Sequence, residues 1–488
     1  MLTFASRADR WSLALIILGV AALAACSDEP NAPKQASVSN ANTGVRGLTE
    51  ITVVVTNTSG GTEAGSLRWA AQQVAEEAIT GFESRSNGAV DELTYQADKA
   101  VFDDVEKPED GLGPLYNAQS CRECHQDPIS GGGSQVTELR VGHLDRLGRF
   151  VAPNMPIAGG KETIMARSLV NDRAICPSGA YPDGEIHQYT PESETVRTTR
   201  ISISVLGDGF IEAVPDQTLI NLAAQQCRAS AGRVCGQVLR VPIVEAAPGT
   251  TGVGRFGWKG QHASLVSFSG DAYLNEMGVT SKNFPTEVTN ICGGTTAEPN
   301  DAPDADGMDD VIRFARFIRA TQAPARNRAI ADSKESGDGF ASFKSIGCVS
   351  CHVDAMTTAP AGTVMLGGTY TVPPALGNKI FHPFSDFLLH DVGTGDGIVQ
   401  TAQEHFGRQR NMNSTISLMP AFNSTQNKIR TPPLWGLRLR TRLMHDGNSF
   451  TYSDAILRHD NEAKAAKQAF FILSASDRAA VLLFLKSL

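Results

Sequence analysis

Two short runs, Cys121-Arg-Glu-Cys124-His125 and Cys348-Val-Ser-Cys351-His352, repeat one arrangement: two thiols three positions apart and an imidazole directly after the second. That spacing lets two sulfurs reach the two vinyl groups on one edge of a porphyrin, while the histidine rises to the iron from one side. Chance does not supply it: with 9 Cys and 10 His in 488 residues, about 0.003 such runs are expected at random. A zinc ribbon brings its cysteine pairs closer in sequence and needs no histidine after each. A thioredoxin-like dithiol calls for a βαβ setting, which is not visible around either run. The two runs therefore predict two haems c, bound through Cys121, Cys124, Cys348 and Cys351, with His125 and His352 as proximal iron ligands.

The other axial position on each iron separates electron transfer from chemistry on a bound ligand. His459 follows Thr451 and Asp454, a helix-capping pair, and shares an apolar helix face with Ala455 and Ile456. On that pattern alone, such a histidine is more often a hydrogen-bonded core residue than a ligand. His445 opens the turn His445-Asp446-Gly447-Asn448 and is expected at a loop edge. His382 and His390 stand near Asp386 and Asp391 and read as structural partners of carboxylates. His143, His187, His262 and His405 carry no local signal. Met356, Met365, Met412, Met419 and Met444 follow the second run without diagnostic spacing. The residues name no distal ligand for the iron on His125 and no catalytic group.

Arg7 and Arg10 precede the apolar stretch from Trp11 to Leu23, too short and wrongly flanked for a membrane span. Leu23-Ala24-Ala25-Cys26 resembles a bacterial lipobox, which implies cleavage before Cys26 and a lipid anchor on it. An ordinary secretory signal is the plainer alternative. Either one exports the chain, to the periplasmic side of the envelope, with the membrane met only through that anchor. Cys176, Cys227, Cys235 and Cys292 remain, and in an exported chain they allow two disulfides with three connectivities; the short Cys227–Cys235 loop is the preferred pair. The formal charge of −9, from 43 basic and 52 acidic residues, comes without a basic block, so nucleic acid is not an expected partner.

At 488 residues the chain exceeds what one hydrophobic core serves. Residues 1–25 read as the signal peptide and 26–95 as a tether with an N-terminal segment, which includes a β signature at Ile51–Thr56 and a helical period at Trp69–Ile79. An N-terminal haem domain, 96–332, ends on the amphipathic run Asp309–Arg319, with Val311, Phe314, Ala315 and Ile318 on one face. A Ser/Gly/Asp-rich joint opens the C-terminal cytochrome c domain, 333–488. There Phe340, Phe343 and Ile346 form a helical lead-in to the second run. A terminal helix capped by Ser474 and Asp477 carries Val481, Phe484, Leu485 and Leu488 on one face. Ile201–Val205 and Val238–Ile243 read as strands. The expected fold class is mainly α: two cytochrome c-like haem domains with inserted β-strands and long loops.

The chain also resembles the bacterial dihaem oxidoreductases labelled thiol oxidoreductases, relatives of the dihaem cytochrome c peroxidases and of the dihaem enzyme that matures methylamine dehydrogenase. The motifs are Gly111-Leu-Gly-Pro-Leu-Tyr-Asn117, Gly131-Gly-Gly133, Gly254-Arg-Phe-Gly-Trp258-Lys259 and Asn275-Glu-Met-Gly278. After the second run come Asp386-Phe-Leu-Leu-His390-Asp391, Arg430-Thr-Pro-Pro-Leu-Trp435-Gly436 and His445-Asp-Gly447. The resemblance covers about Ala100 to Leu488. It implies that His459 is the distal ligand of the C-terminal haem, giving a His352/His459 electron-transfer site. It makes Trp258 and Trp435 candidates for a residue between the haems. The expected function is electron transfer between two haems, with peroxidase-like reduction of a small molecule at the first. An electron carrier with both irons fully ligated is the alternative. The expected partner is another exported redox protein.

Overall fold

The computed structural model describes residues 4–5, 50–51, 75–157, 162–165, 167–175, 190–286, 300–399 and 422–488. Most of the leader and of the tether, with Cys26, Cys176, Cys292, His187, His405, Met412 and Met419, lie outside the described residues.

The described chain falls into two compact units. In the smaller, residues 1–77 with 378–380, Glu76 and Glu77 pair in parallel with Lys379 and Ile380, and Lys379 Nζ meets Glu76 at 2.8 Å. Residues 75–79 thus contain no helix, a correction to the helical period expected over Trp69–Ile79. Pairing with a distant segment outweighs a weak local period.

The larger unit, residues 78–377 and 381–488, holds both Cys-x-x-Cys-His runs. Its helices include α1 (Glu92–Asp103), α2 (Cys121–Cys124), α3 (Leu265–Met277), α4 (Asp310–Ala320), α5 (Lys334–Ser345), α6 (Tyr452–Leu457) and α7 (Ala475–Ser487). Helix makes up 34% and strand 16%, so the fold is mixed where a mainly helical one was expected. Many ladders are only two residues long, below the length at which alternation shows in a sequence.

Asp309 caps α4, accepting from Ile312 N at 3.0 Å. Its apolar face, with Val311, Phe314, Ala315 and Ile318 buried, packs against α1 and α3. Phe102 of α1 meets Phe317 at 4.8 Å and Phe314 at 6.2 Å, ring centre to ring centre. Arg316 clamps the buried Asp98 through both carboxylate oxygens, at 2.5 and 2.6 Å. A fork of this kind fixes register as well as adding energy.

Ser333 caps α5, and α5 crosses α7 where Gly339 lets the backbones touch: a Cβ there would lie 2.0 Å from Ala480 O. Phe340 and Phe343 stand 5.0 and 5.2 Å from Phe484 of α7. Ser474 caps α7, its hydroxyl accepting from Asp477 N and donating to the Asp477 carboxylate. Both expected helices are present, with Val481, Phe484, Leu485 and Leu488 buried.

The run at Ile201–Val205 departs from expectation. The strand Val196–Ile201 pairs antiparallel with Thr137–Leu144 and ends there. Beyond it the backbone serves the first motif instead, with Ser202 Oγ donating to Cys124 O at 2.6 Å and Val205 N to Gly131 O at 2.8 Å. The second run forms a strand only over Arg240–Pro242. Cys227 and Cys235 are joined by a disulfide, the preferred pair.

Candidate functional site

The first motif begins on α2, capped by Ser120, whose hydroxyl accepts from Glu123 N. His125 follows at the end of this single turn. Its Nδ1 lies 3.2 Å from Gly132 O. A carbonyl only accepts, so Nδ1 carries the proton and Nε2 is left with its lone pair. The second motif follows α5 through Gly347, in the left-handed region at φ 91°. His352 Nδ1 donates to Phe384 O at 3.0 Å. Phe343 flanks His352 at 6.2 Å, and Phe102 flanks His125 at 6.4 Å.

His459 is placed differently from the sequence expectation. Thr451 caps α6 as expected, but the helix ends at Leu457, and His459 lies two residues beyond it. Its Nδ1 donates back to Ala455 O at 2.8 Å. The chain beyond α6 therefore aims the ring, not the helix face. His459 lies close enough to His352 to oppose its protonation; burial first, and then His459, push His352 down to about 4. Burial also lowers His125 and His459. Burial thus keeps all three imidazoles neutral, and each has its Nδ1 against a backbone carbonyl, with the Ile203 carbonyl also acting on His125. Metal-ligating histidines show this pattern: the second nitrogen, bonded to backbone, orients the first.

The four thiols are free and half-buried. Burial pushes Cys124 and Cys348 up to about 12 and raises Cys121 and Cys351. Reactive or zinc-binding thiolates need surroundings that favour negative charge. These pockets favour a sulfur that stays neutral.

Other residues fit a porphyrin with acidic side arms. Arg430, 4% exposed, donates its Nε to Gly257 O at 2.7 Å. Arg440 donates to Pro433 O at 3.0 Å. Neither has a carboxylate within ion-pair distance among the described residues, and burial pushes both down to about 10. Trp435 Nε1 is buried without an acceptor. A buried donor left unmade costs about 1–3 kcal/mol, so the orphaned indole N–H, near two buried guanidinium groups of which Arg430 feels the Asp208 carboxyl, suits an anionic group.

The two tryptophans sit differently. Trp435 packs on Gly207, whose Cβ would lie 3.0 Å from the indole ring. Trp258 donates Nε1 to Ile201 O at 2.8 Å, and its own carbonyl accepts from Arg430 N at 2.8 Å. Ile201 adjoins Ser202, which holds Cys124 O, while the Arg430 strand pairs with Leu389 and His390. Trp258 therefore spans from one motif's shell to the other's. His445 sits in a turn, as expected, and is buried there, its ring 6.1 Å from Trp258. Burial pushes it down to about 4, beside Asp396, which pairs with Arg200 and Lys259 at 2.7 and 3.0 Å.

His390 does partner carboxylates: Nε2 meets Asp386 at 2.8 Å and Nδ1 meets Glu462 at 2.9 Å. Burial opposes its charge, but these partners hold it protonated. Cys351, Asp386 and His390 have metal-ligand proximity, yet both His390 nitrogens are already committed. His382 Nδ1 lies 3.1 Å from Asp354 O, and His143 Nδ1 lies 2.9 Å from Glu194. Met356 is a core residue.

One constellation was not legible in the sequence. Glu276, near the end of α3, meets Glu138 of the strand Thr137–Leu144, and both act on Cys124. Burial and the Glu138 charge push Glu276 up to about 8. Burial also works on Glu138, but Arg140, at 2.7 Å, holds it below the usual range. Asn117 Nδ2 donates to Glu276 Oε2 at 2.8 Å. The pair therefore carries one proton near neutrality. Asn275-Glu-Met-Gly278 was the only local signal.

No curated protein matches the sequence. Among solved structures, hydrazine synthase of Kuenenia stuttgartiensis aligns over 93% of this chain and 100% of that one, at 14% identity and TM-score 0.34. The diheme peroxidase BthA from Burkholderia thailandensis aligns over 85% and 92%, at 14% identity and TM-score 0.37. A MauG-like protein associated with microbial copper homeostasis aligns over 37% and 52%, at 18% identity and TM-score 0.21. A family model described as "Di-haem oxidoreductase, putative peroxidase" matches residues 185–488, which include the second motif and not the first. The chain belongs to this di-haem oxidoreductase family.

Proposed function

We propose that the protein is an exported dihaem c-type oxidoreductase that passes electrons from the second haem to the first, where a peroxide-class small molecule is reduced. The observation that carries this reading is an asymmetry. The second site pairs two oriented, neutral histidines, His352 and His459, whereas beside the first, His125 is accompanied by two half-buried carboxyls that share a proton. A bis-histidine iron is a relay; a carboxyl that can donate a proton belongs where a substrate oxygen is reduced.

In this reading Cys121, Cys124, Cys348 and Cys351 would hold the two haems as neutral thioethers, and Arg430, Arg440 and Trp435 Nε1 would offer donors to their acidic side arms. Haem iron supplies the one-electron steps. Glu276 holds the proton, Glu138 draws it from or returns it to solvent, and Asn117 fixes the Glu276 carboxyl. Trp258 joins the shells of the two motifs. Domains at 96–332 and 333–488, a lipid anchor on Cys26 at the periplasmic face, and an exported redox partner belong to the same proposal.

The test is an optical and EPR spectrum of the purified protein, oxidised and half-reduced, with and without cyanide and peroxide. A low-spin bis-histidine signal is expected at every stage, together with a second haem that binds the added ligand. Two haems that stay low-spin and refuse both ligands would instead mark an electron carrier.

A further inference from the structure

We propose that Tyr273, hydrogen-bonded to Glu106, is a one-electron oxidation site that serves the first haem and holds a tyrosyl radical. Tyr273 is 3% exposed, and its Oη donates to Glu106 Oε1 at 2.7 Å, with Asp310 farther off at 3.4 Å. A buried phenol is hard to oxidise because its radical cation would be charged in a poor solvent; losing the proton with the electron avoids that charge. Glu106 is placed to take this proton. Burial raises its carboxyl to about 7, which makes its carboxylate a stronger base than an ordinary one.

The position supplies the other half. Glu106 acts electrostatically on Cys121, so the pair lies beside that edge of the first site. Packed rings also join it to His125: Tyr273 to Phe314 at 5.1 Å, Phe314 to Phe102 at 6.2 Å, and Phe102 to His125 at 6.4 Å. The phenylalanines are dense apolar medium for the electron and not resting places.

The Tyr273 O–H bond breaks and an O–H bond forms on Glu106, so the phenol and carboxylate become a neutral radical and a carboxylic acid. One electron leaves for the first haem. Reducing a peroxide to two waters breaks its O–O bond and takes two electrons and two protons. Tyr273 supplies one electron and the second haem the other, which protects the site when the partner has not reloaded that haem. The inference rests on the proposed peroxide chemistry only for its natural oxidant.

The test uses the haem-loaded protein and a photogenerated ruthenium(III) oxidant, followed by freezing and EPR. A tyrosyl signal that narrows when the tyrosine rings are deuterated is expected. Tyr273→Phe abolishes it and Glu106→Gln lowers its yield, because an amide cannot take the proton. Tyr95→Phe is the control: Tyr95 is 1% exposed in the same aromatic cluster, but its hydroxyl meets Ser84 and not a carboxylate. Haem content and melting temperature report whether each variant folds. A signal that survives in Tyr273→Phe, or none in the unaltered protein, overturns the inference. A second arm replaces light with hydrogen peroxide. Silence in that arm alone refutes the peroxide reading and leaves the tyrosine site standing.

Discussion

Gly132 tests how the first site is oriented. A Cβ at that position would lie 1.9 Å from Asp127 O, 2.3 Å from Asp127 C and 2.9 Å from Ile129 O, all backbone atoms that no rotamer change can move. Ordinary contact begins near 3.4 Å, so Gly132→Ala must open the loop by about 1.5 Å. The His125 Nδ1 to Gly132 O hydrogen bond is already 3.2 Å long, and an opening of that size breaks it. Overpacking costs about 1–3 kcal/mol and the lost hydrogen bond about 0.5–1.5 kcal/mol. The stiffer unfolded chain returns only about 0.4–1 kcal/mol. Steric cost wins, with a net loss of about 1–3 kcal/mol. Freed from its carbonyl, the His125 ring also loses its fixed tautomer, and such losses lower metal-site activity about 10–100-fold. The assay is a thermal melt followed at the Soret band, with the spin state read by EPR. An unchanged melting temperature together with an unchanged spectrum of the first haem would refute the reasoning.

Three further outcomes are expected. Gly339→Ala gains about 1 kcal/mol of helix propensity, but its Cβ meets Ala480 O at 2.0 Å; denaturant unfolding should show a net loss of about 1–2 kcal/mol, and a stabilised variant would mean that α5 and α7 separate freely. On the proposed ligation, His459→Ala would leave the second iron one protein ligand, so its low-spin spectrum should turn high-spin, while an unaltered spectrum would assign the ligand elsewhere. Glu276 has a folded value of about 8, above the ordinary carboxyl value of 4.5. Its contribution to stability is full below that ordinary value and is lost as pH rises through the folded one. Melting temperature should fall across this window in the wild type and less steeply in Glu276→Gln; parallel curves would show that the pair carries no shared proton.

The oriented site rests on backbone carbonyls more than on side chains. Gly132 O and Phe384 O come from two separate loops and Ala455 O from helix α6, and each fixes one imidazole. No residue type announces a carbonyl acceptor, so the sequence showed which histidines to examine but not how they are held. The Glu138–Glu276 pair was hidden for a similar reason. Its members lie on a strand and a helix far apart in the chain, and a lone glutamate in either setting reads as surface charge.

What the sequence determined by itself is local: thiol spacing, the histidine after each pair, the caps at Thr451 and Ser474, and the apolar stripes of α4 and α7. These follow from covalent reach and helical period, which a few consecutive residues specify. The tertiary structure alone decided how the His459 ring is held, that His390 is locked between Asp386 and Glu462, that Trp258 spans the two shells, and that Glu276 favours its protonated form. Each of these depends on burial and on the low dielectric between distant segments, and such an environment exists only once the chain has closed around it.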